Sequence, residues 1–262
     1  MPPVPAAPSL DRPQRILITG ASSGIGAALA SAYAASGVSL VLGGRDRGRL
    51  ASIEAACRAA GAEVETAAVD VVDAVAVRRW IETADDRAPL DLVVANAGIS
   101  AGTGTAGESE AQARAIFATN VDGVANTVWP ALQRMERRAR GQIALMSSLA
   151  AFRGFPGAPA YCASKAAVRV WGEGLRGECR AKGVAVTVIC PGYVESPMTA
   201  VNDFPMPFLM SAERAARIVK RGLARNRARI AFPLPMYFAA WLLGVLSPGL
   251  TDPLLMRLPK KK

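Results

Sequence analysis

Histidine is absent from all 262 residues. Proton chemistry near neutral pH therefore lacks its usual side chain. Cysteine is sparse: Cys57, Cys162, Cys179 and Cys190 show no C-x-x-C spacing. With no histidine to join them, a metal site and a disulfide framework are both disfavoured. Free thiols suit a reducing cytosol, so a cytoplasmic location is expected. Acidic residues are outnumbered, 21 against 31 basic, for a net charge of +10. The basic residues are mostly Arg spread along Ala-rich stretches, and no RNA- or DNA-binding motif accompanies them. The excess is read as solvated helix surface, with no nucleic-acid partner. The opening MPPVPAAPSLDRPQ lacks a basic start and an apolar core, so it is not read as a secretory signal. Its five prolines predict a loose, extended tail over residues 1–14.

What is present is enough apolar chain for one large core, at 51% hydrophobic residues. Residues 15–19 (RILIT) read as a buried strand, followed by the turn GASSGIG and an Ala-rich helical pattern over about 25–36. Gly20, Gly24 and Gly26 have the spacing G-x-x-x-G-x-G. Strand, glycine loop and helix together put backbone N–H groups and a helix N-terminus at a pyrophosphate. Residues 38–42 make a second strand, whose end meets the adenosine ribose in dinucleotide folds. Gly44 occupies the place where an acid would select NAD, and Arg45 follows, able to take the 2′-phosphate of NADP; Asp46 comes one residue later. NADP is therefore preferred, with NAD remaining open.

Further strands are read at 63–69, 91–95, 141–146 and 184–190, with helices between them. Six alternations of strand and helix imply a single-domain α/β fold, a Rossmann-type doubly wound parallel sheet with helices on both faces. Residues 230–232 resemble a last strand. A long helix is expected over about 117–138, kinked or divided at Pro130.

The stretch SSLAAFRGFPGAPAYCASK holds the candidate chemistry. Tyr161 and Lys165 stand four apart, on one helix face. A phenol beside a fixed cation can replace histidine, because the cation favours phenolate. Ser148 lies thirteen residues before Tyr161.

In order along the chain, these motifs resemble the short-chain dehydrogenase/reductase family. The resemblance covers about residues 15–229. It rests on TGASSGIG at 19–26, Asp70, Asn96-Ala97-Gly98, Asn120, Ser148, Tyr161, Lys165 and Pro191-Gly192. It implies an NAD(P)-dependent oxidoreductase acting on CH–OH and C=O groups. Tyr161 would be the acid in reduction and the base in oxidation. Lys165 would lower its proton affinity and hold the nicotinamide ribose. Ser148 would hydrogen-bond the substrate oxygen, and Asn120 would bend its helix and hold a water behind Lys165. The cofactor set would comprise Gly20, Ser22, Ser23, Gly24, Ile25, Gly26, Arg45, Asp70, Val71, Asn96, Ala97, Gly98, Tyr161, Lys165, Pro191, Gly192 and Val194. Ala95 and Ser196 depart from the family's usual Asn and Thr. Ser147 is passed over, because Ser148 has the family's spacing to the tyrosine. A homodimer or homotetramer is a family expectation.

Residues 193–210 are expected to form a lid over the substrate. Their Met and Phe content predicts an apolar pocket, with Met198, Phe204, Phe155 and Ser148 against the substrate and Phe152 helping to form the other wall. Residues 211–229 form a basic helix, and 233–262 an apolar extension with a basic end. A helix over about 236–246 is too short to span a bilayer. It is expected to pack over the pocket or a subunit, or to lie flat on a membrane. The leading function is an NADP-preferring oxidoreductase interconverting a carbonyl and a secondary alcohol on an apolar substrate. The alternatives are a 3-oxoacyl carrier reductase, a dinucleotide-binding sensor, or a membrane-surface protein.

Overall fold

The protein, seen in a computed structural model, is described over residues 12–100 and 107–256. One parallel sheet of seven strands runs in the order β3-β2-β1-β4-β5-β6-β7. The strands are β1 (Arg15–Thr19), β2 (Ser39–Gly44), β3 (Glu63–Ala68), β4 (Leu92–Ala95), β5 (Gly141–Met146), β6 (Val184–Pro191) and β7 (Arg229–Phe232). β1, β4, β5 and β6 are buried at every position, as expected of strands covered on both faces. Edge strand β3 keeps Val64 buried and turns Glu63 outward.

Period-two alternation assigns neighbouring residues to opposite cores. Ile16 and Ile18, with Leu40 and Leu42, face a core completed by α1 (Gly24–Tyr33), α2 (Arg47–Ala59) and α8 (Ala212–Ala224). Leu17, Val41 and Val93 face the other core, under α3 (Ala74–Arg87), α5 (Gly123–Arg137) and α6 (Pro159–Arg180). The strand order reverses between β1 and β4, opening a crevice at their carboxyl ends.

Several expectations change in detail. Helix α4 (Glu110–Phe117) begins before the expected helix and joins α5 through a π-helical turn, Ala118–Asp122. The irregularity falls there and not at Pro130, which lies inside α5. Pro130 is buried beside Val128, Ala131 and Leu132, and this packing carries the helix past the missing N–H. The predicted tail ends early. Gln14 is already tied to the sheet, its N–H donating to Asp91 Oδ2 at 2.8 Å and its carbonyl accepting from Ser39 at 2.7 Å. Residues 1–11 lie outside the described residues, as does the Lys260–262 end.

The segment from Tyr193 to Met210 leaves the sheet and returns. Met210 N–H donates to Tyr193 O at 3.2 Å and Glu195 N–H to Met210 O at 3.0 Å, so its two ends are pinned together. Within it stands the short α7 (Pro197–Ala200), boxed by Ser196 and Thr199. Beyond β7 the chain forms two helices, α9 (Leu234–Val245) and α10 (Pro248–Leu255). Only the first was anticipated. Among the described residues, no helix is long and apolar enough to cross a membrane.

Candidate active site and dinucleotide cradle

The glycine loop packs against the end of β4. Gly20 has φ +65°, and a Cβ there would stand 2.8 Å from Ala97 Cα. A Cβ on Gly26 would stand 2.3 Å from Gly20 O and 2.5 Å from Asn96 Nδ2. These glycines let the turn and the N-A-G segment touch. Polar contacts then lock them: Asn96 Nδ2 donates to Thr19 O (2.9 Å) and Gly20 O (3.2 Å). Thr19 Oγ1 accepts from the N–H groups of Asn96 and Ala97, at 3.0 and 3.1 Å.

Helix α1 starts at Gly24 with no side-chain cap from Ser23 and no acid in its first turn. Its N-terminal N–H groups and positive dipole end are left to an anion, which suits a pyrophosphate. Ser22 stands against Gly44, its Oγ 3.3 Å from where a Cβ would be. Ile25 packs partly into the core. Ser196 crosses above Gly24, with its Cβ 3.0 Å from a would-be Cβ there. A loop that only glycine can line, beside an uncapped helix start, therefore fits a dinucleotide.

Asp46 is engaged within its own helix start. It caps α2, accepting from Arg49 N–H at 2.9 Å, and pairs with the Arg49 guanidinium. That contact holds its carboxyl below the usual range. Arg45 is exposed and lies 3.9 Å from Asp70 Oδ2. Asp70 Oδ1 also accepts Val72 N–H at 3.1 Å. Val71 turns its side chain to α5, against Gly123, so only its backbone is left for a ligand.

Asn120, Ser148, Tyr161 and Lys165 converge on the carboxyl ends of β4 and β5. Asn120, in the π-turn, is fully buried; Oδ1 accepts Ile99 N–H (2.8 Å) and Nδ2 donates to Ile99 O (2.9 Å) and Ser164 Oγ (3.1 Å). The π-turn is what aims this side chain across α6. Ser148 caps a 3₁₀ turn, Leu149–Ala151, and its Oγ also reaches Pro191 O at 3.4 Å. Ser147 is spent elsewhere, donating to Lys165 O at 2.7 Å. Gly98 lies between Asn120 and Lys165: a Cβ there would stand 3.1 Å from Asn120 Oδ1 and 3.2 Å from Lys165 Nζ.

Lys165 is buried, and its Nζ donates to Met146 O at 3.0 Å, 5.8 Å from the Tyr161 ring centroid. Burial lowers its pKa to about 8. Burial pushes the Tyr161 phenol up to about 12, and a hydrogen bond with Ser148 offsets only part of it. Burial thus favours the protonated phenol.

A buried lysine charge has a stability consequence. The unfolded chain holds this proton up to about 10.5, the folded chain only to about 8. Stability should thus rise with pH between these values, and below them the buried charge costs about 3 kcal/mol. Lys165→Met is expected to stabilise the protein at pH 7 by roughly 2 kcal/mol, after the lost hydrogen bond to Met146 is counted. The gain should fade by about pH 10.5. Urea unfolding at both pH values checks this, and an equal gain at both would refute it.

The family named "short chain dehydrogenase" matches residues 14–204. The chain belongs to that family. It is 41% identical over 243 residues to an uncharacterized oxidoreductase of Myxococcus xanthus (strain DK1622), covering 92% of this chain and 96% of that one. It is 36% identical over 243 residues to an uncharacterized oxidoreductase of Mycobacterium tuberculosis (strain CDC 1551 / Oshkosh), covering 91% and 96%. A solved short chain dehydrogenase/reductase from Burkholderia phymatum, in complex with NAD, superposes with a TM-score of 0.81 at 26% identity, covering 95% and 97%. A short-chain dehydrogenase from Sphingobium yanoikuyae, in complex with NADPH, shares the fold with a TM-score of 0.78 at 24% identity, covering 95% and 97%. The protein is accordingly an oxidoreductase of the short-chain class.

The site of this family member also draws on residues that sequence reading missed. Glu108 caps the helix of Tyr161: both its carboxylate oxygens accept Ala160 N–H, at 3.0 and 3.2 Å. Tyr193 lies within electrostatic reach of the Tyr161 phenol and helps raise its pKa. Helix α9 approaches too, since a Cβ on Gly192 would stand 3.3 Å from Met236 Sδ. The substrate set expected from sequence is only partly gathered. Phe204 lies edge-on to Tyr193, ring centroids 6.2 Å apart, inside the excursion. Phe155 and Met198 are half-buried. Phe152 has packing partners of its own. It is pinned under α9, edge-on to Tyr237 at 5.3 Å, with the Arg169 and Arg229 guanidinium groups 4.7 and 5.3 Å from its ring. Its neighbours come from segments far apart in sequence, so no local pattern announced them. Val194 is buried and paired with Met210.

Proposed function

We propose that the protein interconverts a carbonyl and a secondary alcohol on an apolar substrate, using a nicotinamide dinucleotide with NADP preferred. The observation that carries this reading is the convergence of Ser148, Tyr161 and Lys165 beside a glycine cradle. When bound, the nicotinamide supplies or accepts the hydride at the carbinol carbon. Tyr161 gives its proton to the substrate oxygen in reduction and takes it back in oxidation. Ser148 Oγ donates a hydrogen bond to that oxygen as charge develops there. Lys165, held by Met146 O, supplies positive charge behind Tyr161. The test is cofactor-dependent absorbance change at 340 nm with apolar ketones, aldehydes and 3-oxoacyl esters. No turnover of any of them with either cofactor, despite cofactor binding, would favour a sensor.

The NADP preference rests on Gly44 and Arg45. Gly44 offers no carboxylate to repel a 2′-phosphate, and Asp46 is spent on capping α2. Arg45 is free to swing from Asp70, because an exposed pair at 3.9 Å holds weakly. Arg45→Ala is expected to raise KM for NADPH about tenfold, the worth of one charge-assisted bond, and to leave KM for NADH nearly unchanged. An equal rise for both cofactors would remove Arg45 from this role.

A further inference from the structure

We propose that the outer face of α9 and α10 seats the protein on an anionic lipid surface. The inner face of α9 is already used. Ala240 is buried with Leu149, Val188 and Cys190, and Met236 and Tyr237 pack beside them. Gly244 passes so close that a Cβ would strike Phe152 O. The opposite stripe is bare: Leu234, Phe238, Trp241, Leu242 and Val245 recur at helical spacing and are all exposed, Phe238 by 60%. Helix α10 repeats the arrangement. Thr251 and Leu255 turn in, while Leu250, Leu254 and Met256 turn out, Leu250 exposed by 73%. Arg153 ties α10 down through Thr251 (2.9 Å) and Asp252 (2.7 Å), so the apolar face is presented by anchored helices.

Charge decides between occupants. From Ile230 to Met256 the only charged residue is Asp252, and Arg153 neutralises it. The sequence that follows has four basic residues, Arg257, Lys260, Lys261 and Lys262, and no acid. A second copy placed on this face would bring two such segments together, each on a protein of net charge +10. An anionic bilayer attracts the same residues, at about 1 kcal/mol for each Lys or Arg near the surface. An apolar face with Trp and Phe, followed by basic residues, matches an interfacial helix. Spanning is excluded for α9, whose 12 residues rise only about 18 Å against a hydrocarbon core of about 30 Å. The helices therefore lie flat. Because α9 also borders Gly192, this seat would put the catalytic crevice close to the lipid.

The proposal needs no turnover to be tested. Full-length protein is mixed with vesicles of phosphatidylcholine, with or without 30% phosphatidylglycerol (about one lipid in three, within the regime where surface charge matters), and floated on a gradient. We expect it to float with the anionic vesicles and to float at least tenfold less with neutral ones. The outward-facing double substitution Phe238→Glu with Trp241→Glu should abolish flotation while leaving the thermal midpoint unchanged. Lys260→Gln, Lys261→Gln and Lys262→Gln together should lower it severalfold. Absence of flotation by the unaltered protein would overturn the proposal, as would flotation unaffected by the Phe238 and Trp241 changes. A dimer that those two changes dissociate, without vesicle binding, would assign the face to a second copy.

Discussion

Tyr161→Phe is expected to lower kcat by about a thousandfold, in line with the worth of a positioned general acid. The substitution removes one oxygen and keeps the ring, so packing in the first turn of α6 should survive. Glu108 still caps that helix through Ala160, and Lys165 still bonds Met146 O. Cofactor affinity should therefore change little, and the loss should fall on kcat rather than KM. No other group can substitute. Histidine is absent from the chain. Cys162, next in sequence, is buried and its thiol is pushed up by that burial. Pre-steady-state hydride transfer and cofactor titration on the same preparation separate chemistry from binding. Residual turnover within tenfold of the unaltered protein would mean that the proton comes from elsewhere.

Gly26→Ala should produce the largest structural effect. The new methyl would stand 2.3 Å from Gly20 O and 2.5 Å from Asn96 Nδ2. Neither atom can yield cheaply. Gly20 O belongs to the turn that presents the anion site, and Asn96 Nδ2 is bonded to Thr19 O and Gly20 O. Relief requires the loop to move off the N-A-G segment, breaking those bonds. The cost should be about 3 kcal/mol, at the upper end for an overpacked core. Cofactor affinity should fall more than a hundredfold, because displaced N–H groups no longer converge on one anion. The control is Gly174→Ala on α6, an exposed glycine with nothing within 4 Å of its missing Cβ. That change should stabilise the fold by about 0.5–1 kcal/mol through helix propensity alone. Urea unfolding and NADPH fluorescence titration of both variants make the comparison. Unaltered NADPH binding by Gly26→Ala would mean that this loop is not the cofactor cradle.

Local chemistry was readable because it is written in short stretches. Residues 15–19 are apolar throughout because both faces of β1 are covered, and the strand is where the run predicted it. The turn after it needs glycine at Gly20 and Gly24, both with positive φ. Ser147 is engaged with Lys165 O, whereas Ser148, the serine with the family's spacing, bonds the Tyr161 phenol. Asp46 left the cofactor reading open in sequence, although its partner was only three residues away at Arg49. An Asp before a helical run is itself a capping signal, so its capping bond was legible in sequence. Pro130 misled for the opposite reason. Its local tendency was opposed by packing that the sequence does not display.

The amino-acid order alone was enough to determine the doubly wound sheet and the strand, glycine loop and helix that open it. Both follow from residue periodicity or from residues a few positions apart, which a linear reading can capture, whereas Asn120, Ser148, Tyr161 and Lys165 were singled out together only by resemblance to the family's motifs. Tertiary structure alone decided the desolvation of Tyr161, the packing of Phe152 beneath α9, and the division of α9 into a packed face and a bare one. These depend on which distant segments exclude water from a group. Desolvation raises the Tyr161 pKa, and it exists only once the strands have brought its surroundings together.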